Sequence, residues 1–437
     1  MRPFRFERGA VRQIRIHVLP TSRFKTFAIA LFIGTPLTEL NVTATALIPH
    51  VLRRGNALYP ETKAFRERLD DLYGAGFGFD VFKRGDMQVV QFRMDVIHDA
   101  FVGGEKRLLA EALEFLGATV CRPAEENGRF ITKYVKAEKT TLQNRLRAIV
   151  NDKARYAAER CIAEMFAGQP FGLSAYGRST DLPEMDAASL FAHYSDLLEH
   201  AAMDLYVVGN VDPEQVSSLV EKYFCLKKSS PVGYATNPAH AARPQIKKVV
   251  EEMAVTQGKL NLGLITGITY GDKLYVPALM YNGILGAYPH SKLFQNVREK
   301  ASLAYYAASR LDAHKGIMNI FSGIEVRNYK QALQIIREQL AAMEAGEISE
   351  TEISQTRAML TNALREICDS AYEMISFDFN NRVAHVERSV PELLDRLAGV
   401  TAAAIQQAAQ QVRLDTVYFL RDDQKAQGGK NVAETSV

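Results

Sequence analysis

The strongest constraint on this chain is an order of elements that occurs twice. An apolar strand (TFAIALFI, from Thr26), two helical stretches, a pair of strands around the turn KRGD and then long helices fill the first half. After residues 226–245 the order returns as the strand KLNLGLITGI, the helices KLYVPALMYNGILG and SKLFQNVREK, two strands and long helices. Laying Leu72 over Leu303 also brings Gly85 over Gly316. The segment between the copies, LKKSSPVGYATNPAHAARPQ, is rich in Ser, Pro, Gly and Asn and has no periodicity, as an exposed linker does.

A chain of 437 residues with 47% hydrophobic side chains has material for two cores of about 200 residues each. The expectation is an α+β protein of two similar domains, each a largely antiparallel sheet packed with helices, together forming a clam shell. The boundaries are 1–225, a linker at 226–245, 246–425, and a polar, disordered tail at 426–437. Within the first domain, Ala44, Leu47, Ile48, Val51 and Leu52 form a helical stripe with Pro49 as a kink, and 126–164 reads as helix.

Several function classes drop out. The 53 basic and 50 acidic residues are interspersed, so neither nucleic acid nor an anionic membrane is implied. The run FAIALFI is far shorter than the ~20 residues of a membrane helix, and the charged N-terminus has no signal-peptide core. A cytoplasmic protein is expected, with Cys121, Cys161, Cys225 and Cys368 reduced and mostly buried. G-x-S-x-G, Walker and dinucleotide motifs are missing, and GAGFGF from Gly74 reads as a helix stop and strand start. His193 and His200 stand two helical turns apart, too far to chelate together.

The segments ATALIPHVLRRGN, FGLSAYGRSTDL, MDLYVVGNVD and SKLFQNVREKASLAYY, in this order, resemble the insulinase/pitrilysin-type metallopeptidases, the inverted zincins with an H-x-x-E-H motif. Aligned on Gly55, His50 falls at the second His, Pro49 at the general-base Glu and Ala46 at the first His. Glu138 matches a distal Glu, and Arg145, seven residues on, falls where the third ligand belongs. Catalytic zinc needs three protein ligands. One imidazole, a methyl, a proline ring and a guanidinium do not supply them, so no metal or other cofactor is expected in this chain.

The resemblance further implies that Arg298 and Tyr305 match an Arg-Tyr pair of the family's noncatalytic half, which reaches a substrate held at zinc. It implies a zinc-less subunit of a heterodimeric endopeptidase, whose partner is a catalytic homologue with an intact H-x-x-E-H motif and its zinc, and whose substrate is a peptide. In isolation a homodimer is possible on this reading. The alternative is a structural or peptide-binding scaffold of the same fold. Whether Tyr305 or Tyr306 serves is left open, because a slip of one residue exchanges the faces of a strand.

Overall fold

The computed structural model describes residues 4–103, 107–227, 230–235, 237 and 239–422. Strands β1 (Glu7–Val11), β2 (Ile14–Pro20) and β3 (Thr26–Pro36) lead into helices α1 (Val42–Leu52) and α2 (Thr62–Asp71). The hairpin β4 (Gly76–Arg84) and β5 (Met87–Ile97) and helix α3 (Leu108–Cys121) follow. A ribbon, β6 (Glu125–Glu126) and β7 (Arg129–Phe130), precedes α4 (Thr132–Asn151), α5 (Lys153–Met165), α6 (Ala187–His200), β8 (Ala202–Gly209) and α7 (Pro213–Tyr223). The second half contains β9 (Lys247–Glu252), β10 (Gly258–Ile265), α8 (Tyr275–Asn282), β11 (Ala304–Asp312), β12 (Ile317–Ile324) and α9 (Tyr329–Ala345). It continues with α10 (Glu350–Glu366), α11 (Ala371–Val383), α12 (Val390–Ala398), α13 (Ala402–Ala409) and β13 (Arg413–Arg421). The α+β class read from the sequence holds. The expected helix over 126–164 is instead a ribbon and two helices, separated where the Asp152 side chain accepts from the Arg155 amide and starts α5 afresh.

The first compact unit is built on a six-stranded sheet in the order β1-β2-β8-β3-β5-β4, antiparallel except for β2 with β8. Strand β3 lies near its middle, and every side chain from Phe27 to Ile33 is buried. Alternation divides them. Ile29, Leu31 and Ile33 join Leu47, Val51, Phe115 and Leu116 on one face, whereas Ala28, Ala30 and Phe32 join Tyr206, Met374, Ile375 and Phe379 on the other. Burying each large side chain contributes about 1.5–3 kcal/mol.

The second unit repeats the plan with five strands in the order β11-β12-β10-β13-β9, again antiparallel except for the last pair. Gly85 and Gly316 both close the hairpin turn with a left-handed backbone, φ +55° and +74°.

The units do not follow the consecutive boundaries expected from the sequence. The first comprises Met1–Ala148, Gly168–Pro238 and Thr361–Arg396, and the second Ile149–Ala167, Ala239–Leu360 and Leu397–Val437. Each unit thus takes in helix from the other half of the chain. The reason is a second apolar sheet face in both units: α11 covers Phe32 and Tyr206, and α5 presents Ala157 and Cys161 to Tyr418 and Leu420. The stretch 226–245 carries no strand or helix among its described residues and contains the switch between units. The tail expected at 426–437 lies outside the described residues.

Candidate functional site

Helix α1 runs through Pro49, which has no N–H to give to the Thr45 carbonyl, and it is buried along its whole length. The chain then turns at Gly55, where any side chain would strike the Pro60 carbonyl. This close approach explains the glycine without reference to a metal. His50, on the last turn of α1, is 5% exposed and meets the Phe79 ring edge-on at a centroid distance of 4.7 Å.

Glu138 on α4 is 1% exposed, and His50 Nδ1 lies 3.3 Å from its Oε2. The other oxygen is held by Arg54, whose Nε donates to Oε1 at 2.5 Å. Burial alone raises this carboxyl, but His50 and Arg54 outweigh it and hold Glu138 below the usual carboxylate range. Arg145 points elsewhere: its guanidinium donates to the Tyr176 hydroxyl at 2.8 Å and stacks 4.0 Å from that ring. Ala46 is buried and offers only a methyl.

The donor set does not fit zinc. Two potential ligands, His50 and Glu138, stand beside an arginine that already neutralises the carboxylate, and three protein ligands are needed. Among the described residues no group of three or more His, Cys, Asp or Glu side chains could hold a metal. Sequence reasoning missed Arg54 and Tyr176, although the paired cations after His50 and the tyrosine in FGLSAYGRSTDL carried the signal. His193 bonds Thr45 across 3.0 Å, while His200 is exposed beside Asp196, so the structure does not bring the two histidines together. Of the cysteines, Cys161 and Cys368 are buried, whereas Cys225 is exposed.

In the second unit, Arg298 lies on a π-helical segment, Phe294–Lys300. Its side chain is 44% exposed, 4.6 Å from the Phe294 ring centroid, with Nε 3.6 Å from Glu299. Between Arg298 and Tyr305 the backbone passes through Ser302 at φ +51°, a sparsely populated conformation for a residue with a Cβ. Pairing of β11 with β12 then shifts register between Ala304 and Tyr306, so Tyr305 is the extra residue of a β-bulge on an edge strand. The ring of Tyr305 is 57% exposed. Tyr306 instead covers Gly323, lies under the Lys259 ammonium at 5.5 Å and is pushed up to about 12 by burial. No hydrogen bond joins Arg298 to Tyr305.

The fold and this degenerate helix are those of a known class. A family model described as "Peptidase M16 inactive domain" matches residues 184–360. "Probable inactive metalloprotease YmfF" of Bacillus subtilis (strain 168) is 40% identical over 410 residues, covering 94% of this chain and 96% of its own. The same organism's "Uncharacterized zinc protease YmxG" is 23% identical over 56% of this chain and 60% of its own. Among solved structures, a conserved protein from Enterococcus faecalis V583 superposes with a TM-score of 0.91 at 31% identity, covering 96% of this chain and 99% of that one. This chain belongs to the M16 metallopeptidase family, among its inactive homologues. No helix among the described residues is long and apolar enough to cross a membrane.

Proposed function

We propose that the chain is the zinc-less, noncatalytic subunit of a two-chain zinc endopeptidase, contributing Arg298 and Tyr305 to a peptide held at the H-x-x-E-H site of a homologous partner. The bulge at Tyr305 carries the reading. It turns an aromatic side chain out of an edge strand, while its neighbour Tyr306 does the packing. Bulges re-aim side chains in this way beside active sites.

On this reading the Tyr305 hydroxyl donates to the peptide oxygen that becomes negative as water adds, and Arg298 holds a neighbouring carbonyl. One such donor contributes roughly 3 to 4 kcal/mol to the transition state. The partner provides the metal and the general base, because the position of Ala46, Pro49, His50 and Arg145 provides neither. Bacillus subtilis has both an inactive and a zinc-protease relative of this chain, which is the pairing the proposal needs. An exposed Cys225 without a disulfide suits a reducing compartment, the cytoplasm.

The test is cleavage of unfolded peptide by this chain alone and mixed with the H-x-x-E-H homologue from its own genome, with zinc measured in parallel. Turnover in the mixture that exceeds the homologue's own and falls severalfold with Tyr305→Phe supports the reading. A stable complex with turnover unaffected by Tyr305→Phe or Arg298→Ala leaves a peptide-binding scaffold instead.

A further inference from the structure

The two units differ at one place where their plans should agree. In the first, β8 is followed by α7, whose Val216 and Val220 are fully buried against the sheet and α3. The approach is close: a side chain at Gly117 of α3 would meet the Tyr223 carbonyl at 2.7 Å. With α7 in place, ten of the fourteen residues of α3 are buried, as are Ile14, Ile16 and Val18 of β2.

In the second unit the strand corresponding to β8 is β13, and among the described residues no helix follows it. Helix α9, which like α3 follows the hairpin, buries only three of seventeen residues. Strand β9 is likewise left as an open edge. Its Val249 faces α5, so Lys248 and Val250 face the side of α9, and Val250 is 38% exposed. Between α9 and β9 lies a groove of about 520 Å³, lined among others by Lys248, Tyr329, Lys330, Leu333, Arg337 and Glu338. Lys248, Lys330 and Arg337 have no ion-pair or hydrogen-bond partner among the described residues. Glu338, the one carboxylate of the lining, accepts from Gln334.

We infer that this groove receives an acidic amphipathic helix from another protein, seated where α7 sits in the first unit. Apolar side chains one turn apart would lie on Leu333, Tyr329 and Val250, and flanking carboxylates would meet the three free cations. Charge selects the occupant: a groove with three unpaired cations to one carboxylate favours an acidic segment and disfavours a basic one. Residues 423–437, DQKAQGGKNVAETSV, contain no apolar repeat at helical spacing, so the chain's own terminus lacks the face that Val216 and Val220 give to α7. The inference does not rest on the proposed peptidase role.

The probe is a fluorescein-labelled peptide, VDPEQVSSLVEKYF, the sequence of residues 211–224, which carries three carboxylates and one lysine. Fluorescence anisotropy with the full chain is expected to show saturable binding that weakens tenfold or more in Lys330→Glu/Arg337→Glu and is unchanged in Lys63→Glu. Both reversed side chains are exposed, so the fold is expected to persist. If melting shows otherwise, Lys330→Gln/Arg337→Gln is read in its place, with a smaller loss of the same sign expected. No saturation up to about 1 mM, or equal binding by the charge variants and wild type, overturns the inference. A tenfold gain on deleting 423–437 overturns it in favour of the chain's own terminus. Self-association abolished by the charge reversal overturns it in favour of a second copy.

Discussion

Arg8 Nη1 stands 2.7 Å from Nδ1 of His17, and this contact fixes the protonation of a buried ring. A guanidinium can only donate, so Nδ1 accepts and the ring proton sits on Nε2, 2.7 Å from Asp204 Oδ1. The groups facing His17 are Arg8 from β1, Asp204 and Tyr206 from β8, and Asp378 from α11, which accepts from both Arg8 and Tyr206. The network binds the outer-face helix α11 to the first sheet through charge as well as through apolar burial.

Burial lowers the pKa of His17 from its ordinary 6.5, against the pull of Asp204. The folded state therefore binds this proton less readily than the unfolded chain. Its contribution to stability is complete above the unfolded value and is lost as pH falls from there toward the folded value. Urea midpoints should decline from about pH 7.5 to about pH 5.5, and His17→Gln should flatten that slope, since an amide can accept from Arg8 and donate to Asp204 without titrating. A wild-type profile that is already level refutes the assignment.

Asp204 is fully buried and accepts from Arg15 at 2.7 and 2.5 Å, from His17, and from the Tyr234 hydroxyl at 2.6 Å. Burial would raise its pKa, but Arg15 and His17 hold it far below the usual range. Asp204→Asn leaves Arg15 without its counter-charge and should cost about 3 to 5 kcal/mol, whereas Tyr234→Phe should cost about 1 kcal/mol. Chemical denaturation measures both, and equal losses would contradict the ranking.

Purified chain dialysed against zinc should hold no stoichiometric metal, and His50→Ala should leave its zinc content unchanged. The physical reason is Arg54, which occupies the Glu138 carboxylate that a metal would need. One equivalent of zinc, lost on replacing His50, would show that the pair opens to admit it.

The two adjacent tyrosines should separate stability from turnover. Tyr306→Ala removes a ring packed on Gly323 and should cost about 2 to 4 kcal/mol. Tyr305→Phe removes an exposed hydroxyl and should change stability by less than about 0.5 kcal/mol while lowering turnover of the two-chain complex severalfold. Thermal melts and peptide cleavage on the same preparations check both.

Much of the fold was legible because apolar periodicity is local. Strand β3 announces itself by seven successive apolar residues, and the glycine of each hairpin by the residue type that φ > 0 favours. The loss of metal ligands at Ala46, Pro49 and Arg145 could be read in the same way, since each residue lacks the chemistry in any conformation. What could not be read depends on residues distant in sequence. Nothing in α5 or α11 says which sheet its apolar face will meet, nor does Glu138 reveal that Arg54 will reach it from α1's end. The bulge that separates Tyr305 from Tyr306 is a shift of pairing register, which belongs to two strands at once.

The exchange of helices also bears on how the chain is made. Phe32 is translated early, but the ring that stacks on it at 3.8 Å, Phe379, is among the last sixty or so residues to leave the ribosome. Until α11 emerges, Ala28, Ala30, Phe32 and Tyr206 form a greasy sheet face open to solvent and to other nascent chains. A stop codon placed after the linker would therefore yield a sticky fragment in need of a chaperone, and the first unit becomes complete only when synthesis is nearly over.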